Sequence, residues 1–283
     1  MSISLSEKIP AFGVAGNFTG HLEQAGEARD FANLKTTNSD APKAIFPTYL
    51  PKGKEYKITP AFLHTFPFSS TKIIFPKGED KLQIEPECAL IFNAEWDEET
   101  LINLKPLVFG ASNDCSIRKD GAKKISEKKN WGKCSKGFSD NLISLDGFEP
   151  GCILDDYRIA SFLIRDDKVY AYGEDSAVRN YSYIYSDLIN WMLEKFNNQK
   201  DEGPAQDIHS FLIESGKPEQ IMVSIGATRY TDWGEHNFLK NGDKAVVIVY
   251  PESKYTKEDI LNAVETNSLD DISISVLSQT VEL

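Results

Sequence analysis

The sequence predicts a mainly β fold with some α, of the α+β class, and three observations carry that expectation. Short runs rich in β-branched and aromatic residues recur from residue 82 onward, each bounded by turn formers. One long segment, 186–198, has an apolar stripe at helical spacing. Prolines at 42, 47, 51, 60, 67 and 76 exclude long helices across 36–77. No period of solenoid or propeller length repeats, so the chain reads as an irregular globular fold.

Taken in order, residues 36–77 read as extended loops crossing a surface, a connector or an arm. Strands follow at 88–92, 159–164, 168–172, 220–225 and 245–250. The hairpin signal is strongest at Arg165-Asp166-Asp167-Lys168. In the helix at 186–198, Ser186 is the expected N-cap, and Leu188, Trp191, Met192 and Phe196 form a stripe that belongs to a core rather than to a cofactor. A second, short helix follows Thr256, using Ile260, Leu261 and Val264.

With 43 acidic against 31 basic residues, the chain is a poor general surface for nucleic acid or anionic membrane, both of which are polyanions. An anionic ligand would need a local basic site. The start lacks the charged and apolar stretches of a signal peptide, and no run reaches the apolar length of a membrane helix. The expectation is a soluble cytoplasmic protein, with Cys88, Cys115, Cys134 and Cys152 as free thiols whose spacing matches no zinc motif.

Four segments stand out as able to carry chemistry, 17–27, 85–87, 113–118 and 131–140, with the lysine-rich stretch 119–136 and the turn at 226–228 beside them. In Glu85-Pro86-Glu87 an extended backbone projects both carboxylates to one face, a crowding that a cation would relieve. Hard oxygen ligands suit Mg²⁺, Mn²⁺ or Ca²⁺, and Asp114 can supply a third carboxylate. The plainer alternative is a solvated edge strand, since Pro86 cannot donate to a ladder. Residues 119–136 hold seven lysines against Asp120 and Glu127, a local reversal of sign that can focus an anion. As a whole that stretch reads better as a solvated lysine-rich surface, with Arg118 and Lys136 at its borders as the better anion ligands. His21 sits in a glycine-bearing stretch, with Glu23, Gln24 or Glu27 placed to orient its ring as a general base; a merely structural histidine is the alternative. After the strand at 220–225, the segment ending in Gly226-Ala227-Thr228 offers a carboxylate a hydroxyl and backbone amides, or is simply a turn. No complete nucleotide-binding or serine-hydrolase motif is present.

In their order along the chain these segments resemble the fumarylacetoacetate hydrolase family, especially its shorter acylpyruvase and oxaloacetate-decarboxylase-like members. Ala15-Gly16-Asn17-Phe18-Thr19-Gly20-His21 resembles the family's Gly-Arg-Asn-Tyr-x-x-His, without the arginine. Ile73-Ile74-Phe75-Pro76 and then Glu85-Pro86-Glu87-Cys88-Ala89-Leu90-Ile91 resemble its proline-ended strand and its Glu-x-Glu. Asn113-Asp114-Cys115-Ser116-Ile117-Arg118 resembles Asn-Asp-x-Thr-x-Arg, the most specific match. Trp131, Lys136, Phe138 and, one place late, Asp140 follow its Trp…Lys-x-Phe-Asp. Gly226-Ala227-Thr228 and the segment 238–243 echo its closing turns. The likeness spans about residues 10–250.

The resemblance implies a mixed β-roll of curved sheets around a metal site, usually in a homodimer, with Glu85, Glu87 and Asp114 as ligands of Mg²⁺ or Mn²⁺. It places His21 as catalytic base, Lys136 beside the substrate, and Arg118 and Thr228 as substrate contacts. The family's acid three places after the histidine is Gln24 here, so Glu23 or Glu27 is left to orient the base. The implied organisation is an N-terminal segment at 1–70, a catalytic core at 71–250 with an insertion near 197–218, and a C-terminal extension at 251–283. The expected activity is hydrolysis of a carbon–carbon bond in a small β-dicarbonyl oxo-acid. Decarboxylation or tautomerisation of an oxaloacetate-like acid is the alternative on the same site, and a catalytically silent metabolite-binding or interaction protein the alternative of another class.

Overall fold

In the computed structural model, residues 4–31, 40–53 and 56–283 are described, so the connector residues 36–39 and 54–55 lie outside the described residues. The strands among the described residues are β1 (Ala11–Ala15), β2 (Ala44–Tyr49), β3 (Lys72–Ile74), β4 (Leu82–Gln83), β5 (Pro86–Asp97), β6 (Thr100–Asn113), β7 (Ser116–Ile117), β8 (Gly137–Phe138), β9 (Ile143–Ser144), β10 (Tyr157–Arg165), β11 (Lys168–Ala177), β12 (Gln220–Ala227), β13 (Lys244–Pro251) and β14 (Ser275–Glu282). The α-helices are α1 (His21–Gln24), α2 (Tyr185–Asn198), α3 (Ile208–Glu214), α4 (Asp232–His236) and α5 (Lys257–Thr266).

One sheet runs β2-β1-β12-β5-β6-β8, with β9 also on β6; a second runs β11-β10-β13-β14-β3; β4 and β7 form a separate pair. Apolar side chains from both large sheets, among them Leu90, Phe92, Phe109, Ile159, Val247 and Leu277, join one buried core. The long β5–β6 hairpin changes register between Ile91 and Phe92 and again between Glu95 and Trp96, irregularities that bend a sheet. The α+β class and the curved-sheet architecture are those the sequence predicts.

Each expected strand is present. The 165–168 hairpin closes as expected, with Arg165 opposite Lys168 and both Asp166 and Asp167 at positive φ, the requirement of a two-residue turn that follows strand twist. Thr256 caps α5 reciprocally with Asp259. Three expectations are corrected. Ser186 is inside α2, whose N-cap is Ile184 with no side-chain bond, because Tyr185 already begins the helix. The connector is not all loop: β2 is an edge strand of the large sheet, where Pro47 needs no outer ladder partner. Pro86 is not on an edge; it is the first residue of β5, a central strand flanked by β12 and β6, and as first residue it spares a missing donor.

Residues 197–218 contain α3, whose Ile208, Phe211 and Leu212 enter the core, while β14 lies between β13 and β3. Glu214, the last residue of α3, accepts backbone N–H bonds from Lys57, Ile58 (3.0 Å) and Thr59 (2.9 Å) and the Thr59 hydroxyl. Burial is the largest single influence and opposes ionisation, but these bonds together outweigh it and pull its pKa down to about 2. A folded-state pKa below the ordinary value contributes stability that is present above about pH 4.5 and lost as pH falls through 2. Glu214→Ala is therefore expected to melt earlier than the wild type at pH 7, with the gap in Tm closing between about pH 4.5 and 2. A gap independent of pH would mean that the loss is one of packing.

Candidate metal centre

The β5–β6 pairing assembles the acidic cluster. Pro86 stands opposite Asn113, so the residues just outside the ladder, Glu85 and Asp114, become neighbours. The Asp114 N–H donates to the Glu85 carbonyl at 3.0 Å and the Glu85 N–H to Asn113 Oδ1 at 3.1 Å. Glu87 is one pleat along on the same side as Glu85. All three are buried, and one carboxylate oxygen from each lies within 4.8 Å of the others.

On the other side of β5, β12 ends against Glu87, whose Oε2 accepts the Gly226 N–H at 2.8 Å. Gly226 has φ of +124°, and a Cβ there would meet the Asn17 Cβ at 3.0 Å, so glycine is what lets the backbone approach the carboxylate. Two residues on, the Thr228 carbonyl accepts from His21 Nδ1 at 2.9 Å. The strand β1 lies parallel to β12 and brings the glycine-bearing segment to this end of the sheet. Asn17 fixes it there through bonds to the Ile225 and Tyr183 carbonyls at 2.8 and 3.0 Å.

A carbonyl can only accept, so Nδ1 of His21 carries the hydrogen and Nε2 keeps its lone pair. Burial, the largest influence, lowers the His21 pKa against the opposing charge of Glu85, which leaves the ring neutral at pH 7. The structure does not bring Glu23 to this ring. Glu23 is exposed on α1, and Glu27 instead accepts from Arg118 and Lys128, both at 2.8 Å.

The basic residues are more deeply engaged than a solvated surface allows. Lys119, Lys123 and Lys133 are exposed, but Lys128, Lys129 and Lys136 are buried, and the reading of the lysine-rich stretch as a solvated face is corrected accordingly. Lys129 Nζ lies 2.5 Å from Glu85 Oε2 and 2.8 Å from Asp114 Oδ2. Lys136 Nζ lies 3.0 Å from Asp114 Oδ1 and also donates to the Cys115 carbonyl. Arg118 binds Glu85 Oε1 and Glu27 Oε1 at 2.8 Å, Gln83 Oε1 at 2.7 Å and the Tyr230 hydroxyl at 2.8 Å, so most of its donors are spent within the protein. Thr228 contributes its carbonyl; its buried Oγ1 has no hydrogen-bond partner among the described residues. Lys129 was the residue missed by sequence reasoning, and no local spacing singles it out from its neighbours.

Burial raises the carboxyl pKa of Glu85, but Lys129 and Arg118 outweigh it and hold the group well below its usual range. Glu87 behaves oppositely: burial first, then the charges of Asp114 and Glu85, push it well above the ordinary carboxyl value. The donor set is all oxygen, and Glu85 Oε1 and Asp114 Oδ2 are buried with ion pairs but, among the described residues, no hydrogen bonds. This set fits a hard divalent cation.

The cavity at the cluster is about 10 Å³, lined by His21, Glu85, Glu87 and Lys129 with Leu22, Phe46 and Ile125. That is room for about one water. A polar pocket of about 290 Å³, with Arg118, Lys119, Lys128 and Gln83 on its walls, shares Glu27 with the inner cavity.

A family model described as "Family of unknown function (DUF5718)" matches residues 27–281, which include the three carboxylates, Arg118, Lys129 and Lys136. The chain belongs to this family. His21 lies just before the matched segment. No curated protein matches this DUF5718 chain. Among solved structures it is similar to 2-keto-3-deoxy-D-arabinonate dehydratase complexed with magnesium and 2,5-dioxopentanoate, at 12% identity and TM-score 0.54, covering 96% of this chain and 72% of that one. It is also similar to a protein of Yersinia pestis CO92 assigned to the fumarylacetoacetate hydrolase family, at 11% identity and TM-score 0.51, covering 96% and 93%. Cg1458 gives 13% identity and TM-score 0.52, covering 96% and 75%. At such identities the likeness is one of fold, and the fold of this DUF5718 protein is the fumarylacetoacetate hydrolase type that its motifs resemble. Among the described residues, no helix is long and apolar enough to cross a membrane.

Proposed function

We propose that this chain is a divalent-metal-dependent enzyme that hydrolyses a carbon–carbon bond in a small β-dicarbonyl acid of acylpyruvate or fumarylacetoacetate-like type. The observation that carries the reading is a buried triad of carboxylates, two of which, Glu85 and Glu87, line one small cavity together with a neutral histidine and the buried Lys129. The neighbour complexed with magnesium and 2,5-dioxopentanoate supports a hard cation and a small oxo-acid. Held by Glu85, Glu87 and Asp114, Mg²⁺ or Mn²⁺ would act as a Lewis acid on the 2-oxo carbonyl.

The chain's own groups supply the rest. His21 Nε2 accepts a proton from water, and the resulting hydroxide adds to the distal carbonyl. The bond from that carbonyl carbon to its neighbour on the 2-oxo side breaks, the carbonyl carbon leaves as a carboxylic acid, the electron pair stays on the neighbour within the oxo-acid fragment, and the proton returns from His21 to that neighbour. Lys136 adds positive charge where negative charge develops. The substrate carboxylate is received by Arg118, in place of Glu27, from the 290 Å³ pocket. The same proposal includes a cytoplasmic homodimer, the latter checked by light scattering.

One observation favours a second reading, decarboxylation or tautomerisation of an oxaloacetate-like acid. His21 leans on a carbonyl rather than a carboxylate, a weaker support for the cation it becomes as a base, and decarboxylation needs no water activation. The test is turnover of acylpyruvates and oxaloacetate with Mg²⁺ or Mn²⁺ by the wild type and His21→Ala. Loss of acylpyruvate hydrolysis by about 10²–10⁴-fold in the variant supports the base role. Oxaloacetate turnover that survives in the variant, with no acylpyruvate activity in either protein, supports the second reading. Failure of the wild type to bind either metal overturns both.

A further inference from the structure

The cluster already contains a cation of its own. Lys129 is fully buried, and its ammonium bridges Glu85 Oε2 at 2.5 Å and Asp114 Oδ2 at 2.8 Å, with the Phe46 ring 5.1 Å away on another side. Glu85 Oε1 faces Arg118 and Asp114 Oδ1 faces Lys136, so every oxygen of these two carboxylates is opposed by positive charge. Lys129 alone among the described residues joins two members of the carboxylate triad. It therefore stands where a chelated ion would stand, and the adjoining cavity of about 10 Å³ has no space for an ammonium and a hydrated ion together.

We propose that Lys129 is the resident cation of this site and that a divalent ion enters by displacing its ammonium from Glu85 and Asp114. The inference rests on the metal reading of the cluster and adds what that reading lacks, a residue that sets how tightly the metal is held. The metal-free site is kept intact by Lys129, and metal affinity is lowered by the ion pairs that must be given up.

Calorimetric titration with Mg²⁺ and Mn²⁺ of metal-stripped wild type, Lys129→Met and Lys128→Met tests it. Lys128 pairs with Glu27 and not with the triad, so its variant removes an equal charge nearby without vacating the position. Lys129→Met is expected to bind metal about tenfold or more tightly than the wild type, and Lys128→Met to change affinity much less. Equal tightening in both variants means simple charge repulsion and overturns displacement, as does unchanged or weaker binding in Lys129→Met. Binding in none of the three overturns the metal reading itself, an outcome distinct from the other two. A readout on the wild type covers a Lys129→Met that fails to fold. The ¹⁵N–¹H resonance of the Lys129 ammonium, assigned through its side-chain carbons, should move when Mg²⁺ is added, and a resonance unmoved at saturating Mg²⁺ sinks the proposal.

Discussion

Asp114→Ala is expected to cost about 3–5 kcal/mol of stability as well as metal binding, because it leaves two buried ammonium groups short of a carboxylate. Lys129 and Lys136 each place Nζ within 3.0 Å of an Asp114 oxygen, and both are almost fully buried. Removing one partner of a buried pair exposes the other to the full cost of desolvation, which the remaining contacts to Glu85 and the Cys115 carbonyl do not replace. For a chain of this size the loss corresponds to a fall in Tm of about 10 °C, measured by thermal melting of metal-free protein. A change below about 1 kcal/mol would mean that the ammonium groups reach water when the acid is gone, and that the cluster is far less enclosed than its burial indicates.

The same residue shows how far the sequence alone could be taken. The acids were legible because an extended backbone puts Glu85 and Glu87 on one face, a local property. That Asp114 joins them depends on the Pro86–Asn113 pairing between distant segments, which the order of motifs implied and local pattern did not. Lys129 was not legible. The short 3₁₀ turn Ile125–Lys128 has no periodicity to separate inward from outward lysines, and Lys129 faces in because Ile125 packs beside Phe46 and Ser126 bonds Gln206 at 2.6 Å. Both are contacts between segments far apart in the chain.

The fold divides in a similar way. Strands β10, β12 and β13 are nearly continuous apolar runs, the signature of strands with buried neighbours, and the sequence predicts all three. The strand β14 was missed because its buried face includes Ser275 and Gln279 beside Leu277 and Val281. Gln279 is polar for a reason: its amide donates to the Ser69, Lys72 and Lys136 carbonyls and its oxygen accepts from Asn113, bracing the strands behind the cluster. Likewise its motif marks Arg118 as a substrate ligand, while its bonds to Glu27, Gln83 and Tyr230 come from elements that meet only in three dimensions.

Glu87→Gln separates metal binding from stability where Asp114→Ala cannot. Among the described residues Glu87 has no ammonium or guanidinium partner; its one bond is from the Gly226 N–H, which a glutamine oxygen can equally accept. Burial and the charges of Asp114 and Glu85 push its carboxyl towards the protonated form in the metal-free protein, and the amide is a neutral group of nearly the same shape. Metal-free stability is expected to change by less than about 1 kcal/mol. The metal, by contrast, loses one of three anionic ligands, and its affinity should fall by about 100-fold or more, beyond the cost of losing an outer-shell partner. Calorimetric titration of the variant beside its melting curve reads both quantities. Wild-type affinity would remove Glu87 from the ligand set, whereas a loss of several kcal/mol without metal would show that Glu87 is ionised in the empty site, with a cation beside it.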